Sequence, residues 1–144
     1  VVDDHAMEDP LLKQLSEASG EIAALYETRE YAKALRKIME LADAVNAFVD
    51  ANKPWEIAKQ EGQDAQLQRI CSITLEAFRR LSLFLKPVVP KVAAGVEQFL
   101  NIPAMQWQDI DRPLSSKQPI APYSHLMTRV DAALIDQLIA ANQQ

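Results

Sequence analysis

Pro54-Trp55 is the pair in this sequence best suited to chemistry, and the chemistry is recognition rather than bond making. The indole follows a predicted helix stop and sits among Asn52, Lys53, Glu56 and Lys59. A ring held there can act as a platform for an unstacked nucleobase, with the adjacent proline fixing its direction. Base–aromatic stacking contributes about 1–3 kcal/mol per base. Asp50 lies five residues earlier, at the C-terminal end of the same predicted helix, where a carboxylate opposes the helix dipole. Accepting a hydrogen bond from the exocyclic amine of a base would give it a reason to be there. The competing reading is structural: Trp55 tucks under the turn as a core anchor.

Groups for catalysis are missing. Three scattered glycines make no phosphate-binding loop. His5 and His125 stand alone, without metal-ligand spacing, and His125 reads as a surface or packing residue. The single cysteine, Cys71, rules out an intrachain disulfide or a zinc site of several thiolates. Its place in the apolar pattern predicts an inert, buried thiol. Asp3-Asp4, Glu8-Asp9 and Asp109 with Asp111 are better explained by capping and turns than by acid–base work. Neither catalytic nor metal-ligating residues are assigned.

The elements that must position Trp55 follow from composition and period. The chain has 144 residues, 49% hydrophobic and 24% charged, with aromatics at 6%, which predicts one all-α domain with its own core. No apolar run approaches the length of a membrane span, and Val1-Val2-Asp3-Asp4-His5 is not a secretory signal. The missing initiator Met predicts a segment of a longer protein. A net charge of −5 disfavours sequence-blind binding to nucleic acid through a broad basic surface, yet permits a small specific RNA contact.

Residues 1–9 read as a flexible lead-in. Asp9-Pro10 is a helix start, with Asp at the N-cap and Pro at the first helical position. Leu11, Leu15, Ala18, Ile22, Leu25 and Tyr26 then form one stripe, in which Gly20 marks a close crossing or a kink. Thr28 is a candidate cap for the next helix, whose stripe runs through Tyr31, Leu35, Ile38, Leu41, Val45, Phe48 and Val49. Pro54 ends it, because the residue before proline is disfavoured in the α region. A short turn begins at Pro54 and breaks at Glu61-Gly62-Gln63. A helix from Asp64 to Lys86, apolar nearly all round, is expected at the centre of the bundle. Val89 to Leu100 is a shorter one.

Four of the eight prolines, Pro103, Pro113, Pro119 and Pro122, fall between positions 103 and 122. Residues 101–130 are therefore expected to lie extended over the bundle of residues 10–100, anchored by Trp107, Leu114, Ile120 and Tyr123. A terminal amphipathic helix or linker, residues 131–144, closes the chain. The fold expected is a helical bundle with an extended tail and a terminal helix.

Taken together, several segments resemble the anticodon-binding domain of bacterial-type methionyl-tRNA synthetases. They are Tyr26-Glu27-Thr28-Arg29-Glu30-Tyr31 leading into Ala34-Leu35-Arg36-Lys37-Ile38-Met39, then Leu41-Ala42-Asp43, Asn46, Phe48-Val49-Asp50 and Pro54-Trp55 with Ala58-Lys59-Gln60. Ile70-Cys71-Ser72, Phe78-Arg79 and Phe84-Leu85-Lys86-Pro87-Val88-Val89-Pro90-Lys91 continue the order. The resemblance implies that Trp55 stacks on the first base of a CAU anticodon, with Pro54 and Asp50 completing the pocket and Arg129 touching tRNA. It implies an ATP-dependent methionine–tRNA ligase as the whole protein, cytoplasmic and possibly homodimeric, with no membrane or DNA partner. ATP, magnesium and zinc belong to a catalytic part whose signature motifs have no counterpart here, and a helix that opens the family's domain is missing. The isolated chain is expected to be monomeric, to need no cofactor and to catalyse nothing alone. Two alternatives stay open: the anticodon-binding domain of another class I synthetase, and a helical protein-interaction module with no RNA role.

Overall fold

The computed structural model describes residues 4–114, 119–122 and 132–142, and every regular element among them is helical. A 3-10 turn (Asp4–Glu8) leads into α1 (Pro10–Glu17), α2 (Ser19–Glu27), α3 (Tyr31–Asn52), α4 (Pro54–Ile57), α5 (Asp64–Leu85) and α6 (Pro90–Leu100). A second 3-10 turn (Trp107–Asp111) and α7 (Ala132–Asn142) follow. The expected helical class is the observed one.

Helix α5 is the hub: α1, α3, α4, α6 and both 3-10 turns pack on it. Ile73, Ala77, Leu83 and Phe84 of α5 meet Leu12 and Leu15 of α1, Ile22 of α2 and Ile38, Leu41 and Val45 of α3 in the main core. A second cluster joins Val96 and Leu100 of α6 to Leu114, with Leu75 and Phe78 of α5 against it. The 3-10 turn at 107–111 closes the first cluster. The Trp107 ring packs edge-on to Tyr26 at 6.1 Å and tilted on Phe84 at 5.5 Å. Beyond it, the Ala121 amide donates to the Phe99 carbonyl at 2.9 Å, laying residues 119–122 along α6.

Helix ends show the local causes at work. The Asp9 carboxylate accepts from the Leu11 amide at 3.0 Å, with Pro10 at the first helical position, as the sequence predicts. The Tyr26 hydroxyl donates to the Phe84 carbonyl at 2.6 Å. That carbonyl is among the last four of α5, which have no donor ahead of them in the helix. Burial raises the Tyr26 phenol above its ordinary value.

Several expectations are corrected. The stripe from Leu11 to Tyr26 is two helices that break at Ala18, whose amide bonds to both Gln14 and Ser16. A Cβ on Gly20 would meet nothing within 4 Å, so no close crossing lies there. Thr28 does not cap α3. Its hydroxyl donates back to the Ala24 carbonyl at 3.1 Å, ending α2, and to Glu30, the residue at the head of α3. Lys33 and Thr28 both hydrogen-bond to Glu30 and hold its carboxyl below the usual range. Cys71 is exposed, because the arc of α5 that carries it faces outward while Ile70, Ser72 and Ile73 turn in. Ile120 is exposed rather than an anchor, and α7 buries none of its residues. Tyr123, His125 and Arg129 lie outside the described residues.

Periodicity gave no hint of the charges inside the molecule. The Glu76 side chain is fully buried and holds two guanidiniums of its own helix. Arg79 donates to it at 2.6 Å and Arg80 at 2.9 Å, while the Leu114 amide donates to its second oxygen at 3.0 Å. Arg80 continues to the Leu12 carbonyl and to Ser16 in α1, and Arg79 to the Asp109 carbonyl. One carboxylate thus ties the start of the bundle, its central helix and the crossing segment together. A second tie sits nearby. Glu97 of α6 takes Lys86 at 2.8 Å and the Met105 amide, and Lys86 also donates to the Met105 carbonyl.

Candidate nucleic-acid interface

The corner between α3 and α4 is built mainly by backbone hydrogen bonds, with one side-chain contact. The Asn52 side-chain amide donates to the Phe48 carbonyl at 2.8 Å, and the Lys53 amide closes on Val49. Lys53 then adopts a left-handed conformation, φ 45° and ψ 64°, which turns the chain before Pro54. Proline makes the right-handed region unfavourable for its predecessor, and this residue escapes to the left-handed one. Pro54 opens α4, and the Glu56 and Ile57 amides bond back to the Lys53 carbonyl. Helix α4 packs on α5. The corner is therefore fixed from both sides of Trp55.

Trp55 is 50% exposed, so the indole is not a core anchor. Pro54 beside it is half-buried, and Asp50 is exposed on the last turns of α3. Among the described residues, the Asp50 carboxylate makes no hydrogen bond or ion pair. This carboxylate opposes the helix dipole at that end of α3. The structure thus brings Trp55, Pro54 and Asp50 to one end of α3.

The sequence reading overlooked how far this surface extends. Arg36, Met39, Asp43, Asn46 and Asp50 recur at alternating steps of three and four, and all are exposed. At 3.6 residues per turn they share about 80° of arc, a single outward face of α3 that ends at the Trp55 corner. The same three-and-four arithmetic that marks a core stripe marks this one, but polar residues hid it. Met39 is the apolar exception, 48% exposed.

Among the described residues no group of three or more His, Cys, Asp or Glu could hold a metal ion. A concavity of about 510 Å³ borders Arg79, Met105, Asp109 and Leu114, with no residue of α3 or α4 in its walls. No described helix is long and apolar enough to cross a membrane.

Comparison with known proteins gives the family. The family described as the anticodon binding domain of methionyl tRNA ligase matches residues 2–137. Methionine–tRNA ligase of Cupriavidus pinatubonensis is 58% identical over 143 residues, covering 99% of this chain and 21% of the relative. The enzyme of Chromobacterium violaceum is 58% identical over 134 residues, 93% of this chain and 19% of the relative. The chain therefore spans about a fifth of the length of these relatives. Among solved structures, the apo form of Mycobacterium tuberculosis methionyl-tRNA synthetase has a similar fold, with a TM-score of 0.76. It is 18% identical, and the match covers 91% of this chain and 27% of that one. A family match across nearly the whole sequence, joined to relatives of this identity, establishes that the chain belongs to the methionyl-tRNA ligase anticodon-binding domains.

Proposed function

We propose that this domain recognises the CAU anticodon of tRNA-Met, with the first base stacked on Trp55. The observation that carries the reading is the half-exposed indole on a corner braced by Lys53, Pro54 and the packing of α4. Cytosine offers an amino donor at its N4, and a carboxylate is the acceptor that suits it. Asp50 supplies that carboxylate, and Pro54 completes the pocket by fixing the approach of the ring. Arg129, outside the described residues, is a further tRNA contact that the family resemblance implies. Specificity of this kind needs a few stacked and hydrogen-bonded bases rather than a basic surface, which fits a chain of net charge −5.

In the whole protein the domain would deliver tRNA to a catalytic domain on the same polypeptide. There, methionine would be attached to tRNA in the cytoplasm at the expense of ATP. Magnesium and zinc would serve that catalytic part, and a homodimer is compatible with the reading. The residues of this domain bind and orient; they move no proton and form no bond.

Tryptophan fluorescence during titration with a CAU stem-loop tests the anticodon contact. Quenching is expected with the CAU loop, less with a loop changed at the first base, and none from Trp55 in Trp55→Ala. Affinity in that variant should fall by about 1–3 kcal/mol. Equal binding of both loops by wild type and variant would refute base stacking and favour a protein-interaction role.

A further inference from the structure

We infer that the basic end of α3, centred on Arg36, holds phosphates of an RNA stem while the Trp55 corner takes the loop. The inference rests on the anticodon reading above.

Charge along α3 is divided. Four of the chain's 15 Lys and Arg residues, Arg29, Lys33, Arg36 and Lys37, fall between positions 29 and 37. The acids Asp43 and Asp50 occupy the other end of the same exposed face. Acceptors suit base edges, and cations suit the backbone. Lys33, Arg36 and Lys37 line a groove of about 240 Å³ between α2 and α3, with Glu21, Leu25 and Glu40 in its walls. Lys33 is paired with Glu30, and Lys37 with Glu21 at 3.5 Å. Arg36, among the described residues, has no partner. It is also the one cation on the face that runs through Asn46 and Asp50 to Trp55.

Distance fits the assignment. Arg36 lies fourteen residues before Asp50, hence about 21 Å up the helix axis. An RNA stem is an A-form duplex with a phosphate at every nucleotide of both strands, displayed along its whole length. A stem lying along α3 from a loop at Trp55 therefore presents several phosphates to Arg36, whatever its sequence. A guanidinium can take two phosphate oxygens at once. The contact would add affinity without reading bases, complementing a pocket that reads bases with acids.

The test is an anisotropy titration of the full-length protein with a CAU stem-loop and its first-base variant, between about 50 and 200 mM salt. Arg36→Ala is expected to flatten the slope of log K against log salt by about 1, the share of one phosphate contact. Affinity at the low-salt end should fall about fourfold more than at the high-salt end, equally for both loops. Arg36→Lys should restore most of the slope, and circular dichroism should be unchanged because the side chain is exposed and unpartnered. An unchanged slope in Arg36→Ala, with base preference still lost in Trp55→Ala, overturns this inference alone. A wild-type protein that binds neither loop, or binds both alike with and without Trp55, overturns the anticodon reading and this inference with it. A changed base preference with an unchanged slope would make Arg36 a base contact and also overturn it.

Discussion

Tyr26 does two things with one side chain. Its ring joins Trp107 in the core wall, and its hydroxyl satisfies the Phe84 carbonyl at the frayed end of α5. Tyr26→Phe keeps the ring and leaves the buried Phe84 carbonyl without its donor, so chemical denaturation should show a loss of about 1–3 kcal/mol. The pH dependence has a definite sign. In the unfolded chain the phenol ionises near 10, whereas burial raises that value in the folded state. The unfolded state therefore loses its proton first, and this contribution to stability is present below about pH 10 and lost as pH rises through the folded value. Tyr26→Phe should lose less stability than wild type over that alkaline range. Asp50 behaves oppositely because it stabilises nothing within the fold. Asp50→Ala should leave the melting temperature within a degree or two, while preference for cytosine at the first anticodon position falls by about 1–3 kcal/mol in paired loop titrations.

Among the elements, α3 depends most on how its ends are made. Lys53 holds a left-handed conformation that costs an ordinary residue about 1–2 kcal/mol. Lys53→Gly removes that strain but adds about 0.5–1 kcal/mol of chain entropy to be lost on folding. Thermal unfolding should therefore move little or slightly upward, while affinity for a CAU loop falls because the corner under Trp55 is looser. Much of this architecture is legible locally. Asp9-Pro10 and Lys53-Pro54 are boundary signals that the backbone obeys, and the apolar period of α3 finds Ile38, Leu41 and Val45. What escapes is non-local. Ala18 breaks a continuous stripe, Thr28 turns back to end α2, and Cys71 faces outward on a helix that is otherwise largely enclosed. The corner at Pro54-Trp55, with its exposed indole, was legible because its residues are adjacent. The rest of its face was not, because exposed polar periodicity resembles any wet surface.

For the molecule as a whole, the buried carboxylate of Glu76 matters more than any single apolar contact. Charged residues at 76, 79 and 80 look like a solvated helix face, and only hydrogen bonds across 30 to 68 positions reveal them as interior. Removing the anion leaves two buried guanidiniums without a counter-charge and the Leu114 amide without its acceptor. Glu76→Ala is expected to cost about 3–5 kcal/mol in denaturant unfolding. Amides of residues 107–114 should then exchange faster than those of α3, which the network does not touch. Glu76→Gln, which keeps the shape but not the charge, should fall between wild type and Ala.

The same tie sets an order in time. Arg80 must find Leu12, already made 68 residues earlier, and Glu76 must wait for the amide of Leu114, 38 residues later. A ribosome adding about 5–20 residues per second therefore leaves the nascent chain for seconds with its central carboxylate only partly answered. Arrested chains ending shortly before Leu114 should resist protease poorly, and those with that residue clear of the exit tunnel should resist it well. The bundle locks from its far end backward, and the segment that looks like trailing ribbon is the latch.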